Sequence, residues 1–287
     1  MRVKCDALGI PAEDYVVGKV IRNAQEIYTG YKEILLDDPV IDRFYSGEQI
    51  YLSEDDYRLQ SNQFLMLVSN TNNKKTALAR FLNPNTPLKR INGEYSKGIW
   101  GVVPRNKEQH FGLDLLLDTN VQVVSLIGKA GSGKTLCALA GGLQQVLEPR
   151  ARKKKQHDEG SETPYKRLIV TRPVQPLGKD IGFLPGTLEE KMAPWLMPIL
   201  DNVRHAFKDI SYFQAMMKKG DVEVAPIPYI RGRTFNNSFL IVDEAQNATI
   251  HELKTIITRM GQGSKLVLLG DIDQIDTPYI DRQSNGL

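Results

Sequence analysis

Apolar and polar positions follow two different rhythms along this chain. From Tyr15 to about Trp100, short apolar runs (VVGKVI, EIYTGYKEILL, EQIYL, FLMLVSN and TALARFL) are punctuated by Asn, Gly, Asp and Pro. That texture predicts a small barrel or sandwich of five or six strands. Asn70, Asn72, Asn73, Lys74 and Lys75 form the polar tip of a hairpin, and Leu82 to Pro87 a loop. After Trp100 the runs lengthen, and apolar strands alternate with helical stretches. Asn106 or Pro104 can open a helix with an apolar face built from Phe111, Leu113, Leu115, Leu116 and Leu117. Strands are then expected at VQVVSLI from Val121, at RLIVT from Arg167, at FLIV from Phe239 and at KLVLL from Lys265, with DVEVAPI as a further extended run. Pro173 and Pro176 bar helix across the segment after RLIVT. A helical stretch from about Thr187 to Phe207 is bent or broken by Pro194 and Pro198, and a shorter helix runs from Asp209 to Gly220. Thr249 and Glu252 are spaced as a capping box for the helix before KLVLL. Strands alternating with helices predict an α/β fold with a parallel sheet, whose ligand sits at the carboxyl ends of the strands.

The polar signatures fall at those ends: the glycine loop, Thr171 with Arg172, Asp243 with Glu244, and Gly270 and Asp271 with Gln274. Gly128 to Thr135 reads GKAGSGKT and fits G-x-x-x-x-G-K-[ST] at every fixed position, between an apolar strand and a helix. Gly128, Gly131 and Gly133 let the backbone curl, so that N–H groups of the Lys129, Ala130 and Ser132 turn converge on a phosphate chain. The dipole of the following helix adds to that attraction. Lys134 reaches the β- and γ-phosphates, and the Thr135 hydroxyl takes a position on Mg²⁺. Asp243, directly after FLIV, completes the Mg²⁺ site through a bound water. Glu244 follows as the base that activates a water, because nucleotide binding alone needs no second carboxylate. Gln274, four residues beyond Gly270, offers an amide that can donate to a γ-phosphate oxygen and accept from the attacking water. Gln109 is a candidate reader of the adenine edge. The absence of an N-K-x-D guanine signature near this edge also favours ATP. Arg172, Arg231 and Arg233 are candidates for charge compensation or nucleic-acid phosphate contact, or else surface ion pairs.

Composition narrows the class. A chain of 287 residues can form about two domains, and 41% hydrophobic with 25% charged residues is ordinary for a globular protein. No apolar run approaches a membrane span, and MRVKCDALGI is no signal peptide. Cys5 and Cys137 are too few for a disulfide framework and fit a reducing, cytoplasmic setting. The net charge of +3 says little, but Arg150, Arg152, Lys153, Lys154 and Lys155 crowd one polar insertion that reads as a solvated loop or a phosphate-backbone contact.

Four blocks in order carry a resemblance: PRNKEQHFGLDLLLD before GKAGSGKT, then TRPVQPLGKDIGFLPGTLEEKMAPW, RGRTFNNSFLIVDEAQN and GDIDQID. Together they resemble the PhoH-like ATPase family over Gly101 to Leu287. The resemblance implies one RecA-like P-loop NTPase domain related to superfamily-one helicases, cytoplasmic, often hexameric and linked with RNA metabolism. Its ATP-site positions map onto Gly128 to Thr135, Asp243, Glu244 and Gln274. Residues 1–15 resemble the tail of a PIN ribonuclease domain, as in longer family members that carry one ahead of the ATPase. The expected organisation is a PIN remnant over 1–15, a β-rich module over 16–100 and an ATPase domain over 101–287, with both ends reading as truncated. The expected function is Mg²⁺-dependent ATP hydrolysis coupled to RNA binding or remodelling. The alternatives are an ATP-regulated binding module with negligible hydrolysis and, disfavoured because its metal carboxylates would lie upstream, a PIN-type nuclease.

Overall fold

The structure is a computed structural model that describes residues 30–91, 98–147, 163–173, 197–204, 210–230, 232–277 and the single positions 280, 285 and 287. The PIN-like stretch, the basic run Arg150 to Lys155, most of the stretch from Thr187 to Phe207, and Arg231 lie outside these residues.

Two sheets organise the described chain. The first has the order β1-β2-β3-β4, with β1 (Tyr31–Leu36), β2 (Gln63–Ser69), β3 (Thr76–Phe81) and the two-residue β4 (Lys89–Arg90). It is mixed: β1 runs parallel to β2, and the other two pairs are antiparallel. The hairpin expected at Asn70 to Lys75 joins β2 to β3. A parallel pair needs a crossover, and here it contains α1 (Asp38–Ser46) and α2 (Glu54–Tyr57). Among the described residues the expected barrel or sandwich is a single four-stranded sheet with helices on it, and the run VVGKVI lies outside them. DPVIDRFYS is helical because Pro39 suits the first turn and Gly47 closes the last in the left-handed region at φ 92°. EQIYL, expected as a strand, runs irregularly and seals the core with Ile50 and Leu52. Ile41 and Phe44 of α1 meet Ile34, Leu65, Leu67, Ala79 and Phe81 in that core.

The second sheet holds five parallel strands in the order β5-β9-β8-β6-β7: β5 (Val123–Ile127), β9 (Lys265–Gly270), β8 (Ser238–Val242), β6 (Arg167–Thr171) and β7 (Val222–Val224). Around it lie α3 (Lys107–Leu117), α4 (Lys134–Leu147), α5 (Ile210–Lys219), the short α6 (Ile227–Ile230) and α7 (Ile250–Ile257). Strands β8 and β9 are buried throughout, as continuous apolar runs in a doubly covered parallel sheet should be. Strand β5 departs from the buried strand its sequence predicts. It is an outer strand of the sheet, and Val123 and Ile127 are 57% and 46% exposed. Helix α4 approaches the sheet closely through Gly142, where an added Cβ would lie 2.8 Å from Leu168 Cδ1.

The small sheet and α3 are fastened together. Phe64 of β2 stacks on Phe111 of α3 with centroids 4.4 Å apart. Arg80 of β3, 1% exposed, pairs with Asp114 at 2.8 Å and Asp118 at 3.0 Å. Lys265, fully buried on β9, donates to the carbonyls of Leu115 and Asp118 at the end of α3, where a cation is favoured. No described helix is long and apolar enough to cross a membrane.

Candidate functional site: a phosphate loop facing two carboxylates

Register brings the polar signatures level. Ile127 pairs with Gly270, Val242 with Leu268, and Thr171 with Val242, so the chain leaves four neighbouring strands along one sheet edge. The Gly128 N–H donates to the Gly270 carbonyl at 3.1 Å, and the Asp243 N–H to Thr171 at 2.8 Å. Strand β9 lies between the glycine-loop strand and the acid-bearing strand. That order sets the loop carrying Gln274 between the phosphate loop and Glu244.

The loop from Gly128 to Thr135 delivers the chain into α4. Gly131 and Gly133 adopt φ of 76° and 86°, conformations that L side chains resist. A Cβ on Gly133 would also stand 2.9 Å from Gln109 Nε2. The Lys134 ammonium folds back onto the carbonyls of Gly128 (2.6 Å) and Lys129 (2.9 Å). Burial pulls its pKa below the usual lysine value, against the opposing pull of Asp271, Glu244 and Asp243.

Thr135 donates its hydroxyl to Asp243 Oδ1 at 3.1 Å. Asp243 is 7% exposed, and burial pushes its carboxyl above the usual range, with Glu244 adding to the push and Arg172 and Thr135 opposing it. A hydroxyl and a buried carboxylate converging in this way fit Mg²⁺, which prefers oxygen ligands and keeps several waters. Bound there, Mg²⁺ would neutralise charge developing on the phosphates.

Glu244 adopts φ 55° and ψ 39°, a left-handed conformation that a non-glycine residue holds only at a cost of about 1–3 kcal/mol. Its side chain caps no helix. Instead Oε1 accepts from Arg172 at 3.3 Å and Oε2 from Gln246 Nε2 at 2.6 Å. Arg172 also reaches Asp243 at 3.6 Å, so one guanidinium bridges both acids. Arg233 is elsewhere, in a bidentate pair with Glu223 at the β7 edge that holds the Glu223 carboxyl below its usual range.

Gln109 sits in the first turn of α3, which Asn106 caps by accepting from the Gln109 N–H at 2.9 Å. Both ends of its side-chain amide are engaged. Oε1 accepts from the Arg105 N–H at 2.7 Å, and Nε2 donates to the Ser132 carbonyl at 2.9 Å. Gln274 is exposed and lines the same cleft of about 650 Å³ as Lys134, Thr135, Asp243, Glu244 and Asp271.

Two further residues contribute, Asp271, which the sequence sets with Gly270 and Gln274 at a strand end, and Gln246, which the sequence reading missed. Asp271, 5% exposed, accepts from the Ala130 N–H at 2.8 Å, and the fully buried Gln246 binds the loop after β9. The signal for Gln246 was a polar residue in the run directly after Asp243 and Glu244.

A strand-to-helix glycine loop whose lysine and threonine face a buried aspartate defines a P-loop nucleotide-binding protein. The PhoH-like protein family matches residues 101–287. The chain is 42% identical to Protein PhoH2 of Bacillus subtilis (strain 168) over 291 residues, covering all of this chain and 62% of that protein. It is 34% identical over 283 residues to Protein PhoH2 of Mycolicibacterium smegmatis, covering 98% of this chain and 59% of that protein. It thus spans about three-fifths of the length of the curated relatives it matches. The UvsW helicase of bacteriophage T4 aligns over 95% of this chain and 70% of that one with a TM-score of 0.38 and 14% identity, a likeness of general outline only. The chain belongs to the PhoH-like family.

Proposed function

We propose that the chain binds ATP with Mg²⁺ in the cleft between Lys134 and Gln274 and hydrolyses it, coupled to RNA binding or remodelling in the cytoplasm. The observation that carries the hydrolytic reading is the placement of Glu244. A strained backbone and two hydrogen bonds hold its carboxylate beside Asp243, on the cleft that Gln274 also lines.

In this reading Lys134 leaves the Gly128 and Lys129 carbonyls for the β- and γ-phosphates, whose oxygens the loop N–H groups also bind. Thr135 and Asp243 hold Mg²⁺. Each oxygen of Glu244 keeps a lone pair beyond its contact with Arg172 or Gln246, so the carboxylate can orient a water and take its proton. Gln274 would bridge that water and the γ-phosphate, and Arg172 offsets the charge of the acid pair. The RNA partner is supported by the family resemblance and by the basic run Arg150 to Lys155. The resemblance also supports assembly of several copies into a ring.

Steady-state phosphate release from ATP and Mg²⁺, with and without single-stranded RNA and beside a Lys134→Ala control, tests the reading. Turnover that rises with RNA and vanishes in the control is expected. Turnover indifferent to RNA removes the coupling, and unchanged turnover in Glu244→Gln removes the base.

A further inference from the structure

Gln246 is fully buried two residues after Glu244, in the 3₁₀ turn Ala245–Asn247. Its Nε2 donates to Glu244 Oε2 at 2.6 Å and to the Gln274 carbonyl at 3.0 Å, while its Oε1 accepts from the Asp271 N–H at 3.2 Å. Only one orientation of the amide satisfies these partners, since the carboxylate and the carbonyl demand donors and the N–H demands an acceptor. Both of its hydrogens are used. Gly270 leaves the amide its space, because a Cβ there would stand 2.4 Å from Gln246 Oε1.

On the reading of Glu244 as base given above, we propose that Gln246 is a positioning residue linking that base to the loop that senses the γ-phosphate. One amide fixes a Glu244 oxygen and both ends of the turn Asp271 to Gln274, so a shift of the turn is felt at the carboxylate. The turn is closed on itself by the Gln274 N–H donating to the Asp271 carbonyl at 3.0 Å, and therefore moves as a unit. Asn247 extends the link by accepting from the Asp276 N–H at 2.8 Å. Glu244 thus reaches its active orientation only when the Gln274 turn is seated.

The test compares Gln246→Ala and the milder Gln246→Asn with the unaltered chain, using ATP, ADP and a non-hydrolysable ATP analogue. Removing the link is expected to lower kcat by about 10- to 100-fold while KM changes by no more than about threefold. A Gln246→Ala, Gln274→Ala double variant should lose no more kcat than the worse single change, since residues acting as one unit are not additive. A residue that merely supported the fold would weaken ATP and ADP binding alike and add its loss to that of Gln274→Ala; either result overturns the proposal. If the unaltered chain shows no turnover, the reading of Glu244 as base fails. Gln246 is then judged by binding: the preference for the ATP analogue over ADP should fall several-fold in both variants, and an unchanged preference overturns the link. Should Gln246→Ala not fold, Gln246→Asn carries both measurements.

Discussion

Asp271 Oδ2 accepts a 2.8 Å hydrogen bond from the backbone N–H of Ala130, joining positions 141 residues apart in sequence. A carboxylate therefore occupies a donor in the loop that a phosphate chain would use, next to the lysine that would hold the same phosphates. Asp271→Asn keeps an acceptor for Ala130 and removes the charge. The expected outcome is tighter binding of a non-hydrolysable ATP analogue by about fivefold, on the order of 1 kcal/mol. Titration calorimetry reads it directly. Unchanged or weaker binding would make Asp271 a scaffold of the loop and not a competitor for it.

On the proposed reading, Lys134 sets an alkaline limit on nucleotide binding. Its folded-state pKa is lowered, chiefly by burial. The folded protein thus binds fewer protons than the unfolded chain in the window below the usual lysine pKa, and its own stability rises with pH there. Nucleotide affinity has the opposite sign, because the phosphates attract the ammonium and not the amine. Affinity for the ATP analogue should fall as pH climbs through that window. Fluorescence titrations from neutral to alkaline pH check this, and a flat profile would exclude Lys134 from phosphate binding.

Much of this was legible in the residues. GKAGSGKT between an apolar strand and a helix defines both a motif and its context, and FLIVDEAQN does the same for Asp243 and Glu244. The Thr249–Glu252 capping box is also present as its spacing predicts. What stayed hidden depends on neighbours distant in sequence. Helix α1 was hidden because Val40, Ile41 and Phe44 in a segment rich in Asp can serve strand or helix, and its contacts with β2 and β3 decide. The exposure of β5 follows from strand order, which hydrophobicity does not encode. Gln246 acts through groups on another element, and Asp271, legible at the end of its strand, bonds a backbone N–H of the distant phosphate loop, which a sequence does not show. Gln109 illustrates the same limit: its amide chemistry was readable, but its commitment to Arg105 and Ser132 was not.

Asp243 makes stability depend on charge at the position proposed to hold Mg²⁺. Its carboxyl is pushed up, first by burial. The folded state therefore holds the proton more tightly than the unfolded chain, and stability is lost as pH rises through the window above the usual carboxylate range. At neutral pH without metal, Asp243→Asn should raise the thermal midpoint, by about 2–4 °C for each kcal/mol of burial cost relieved. The same variant should abolish the extra stabilisation that Mg²⁺ gives in the presence of ATP. Differential scanning calorimetry with and without Mg²⁺ measures both, and a lower midpoint in the metal-free variant would contradict the assignment.

Arg80 ties the small sheet to α3, the helix that also contacts the phosphate loop. Its guanidinium is 1% exposed and lies against Asp114, 2% exposed, on α3, whose first turn carries the Gln109 contact to Ser132. Arg80→Met removes the cation and leaves Asp114 with Lys89, a partner 37% exposed. Breaking a buried pair from one side costs about 3–5 kcal/mol, whereas replacing both partners with apolar groups is often neutral or stabilising. The urea midpoint of Arg80→Met should fall accordingly, and Arg80→Met with Asp114→Leu should recover most of the loss. If α3 transmits the disturbance, the single variant will also bind the ATP analogue more weakly at temperatures where it remains folded, and the double variant will not. A full stability loss with unchanged affinity would show that the pair holds the sheet in place without tuning the phosphate loop. A loss below about 1 kcal/mol would place this contact among weak surface pairs, against its burial.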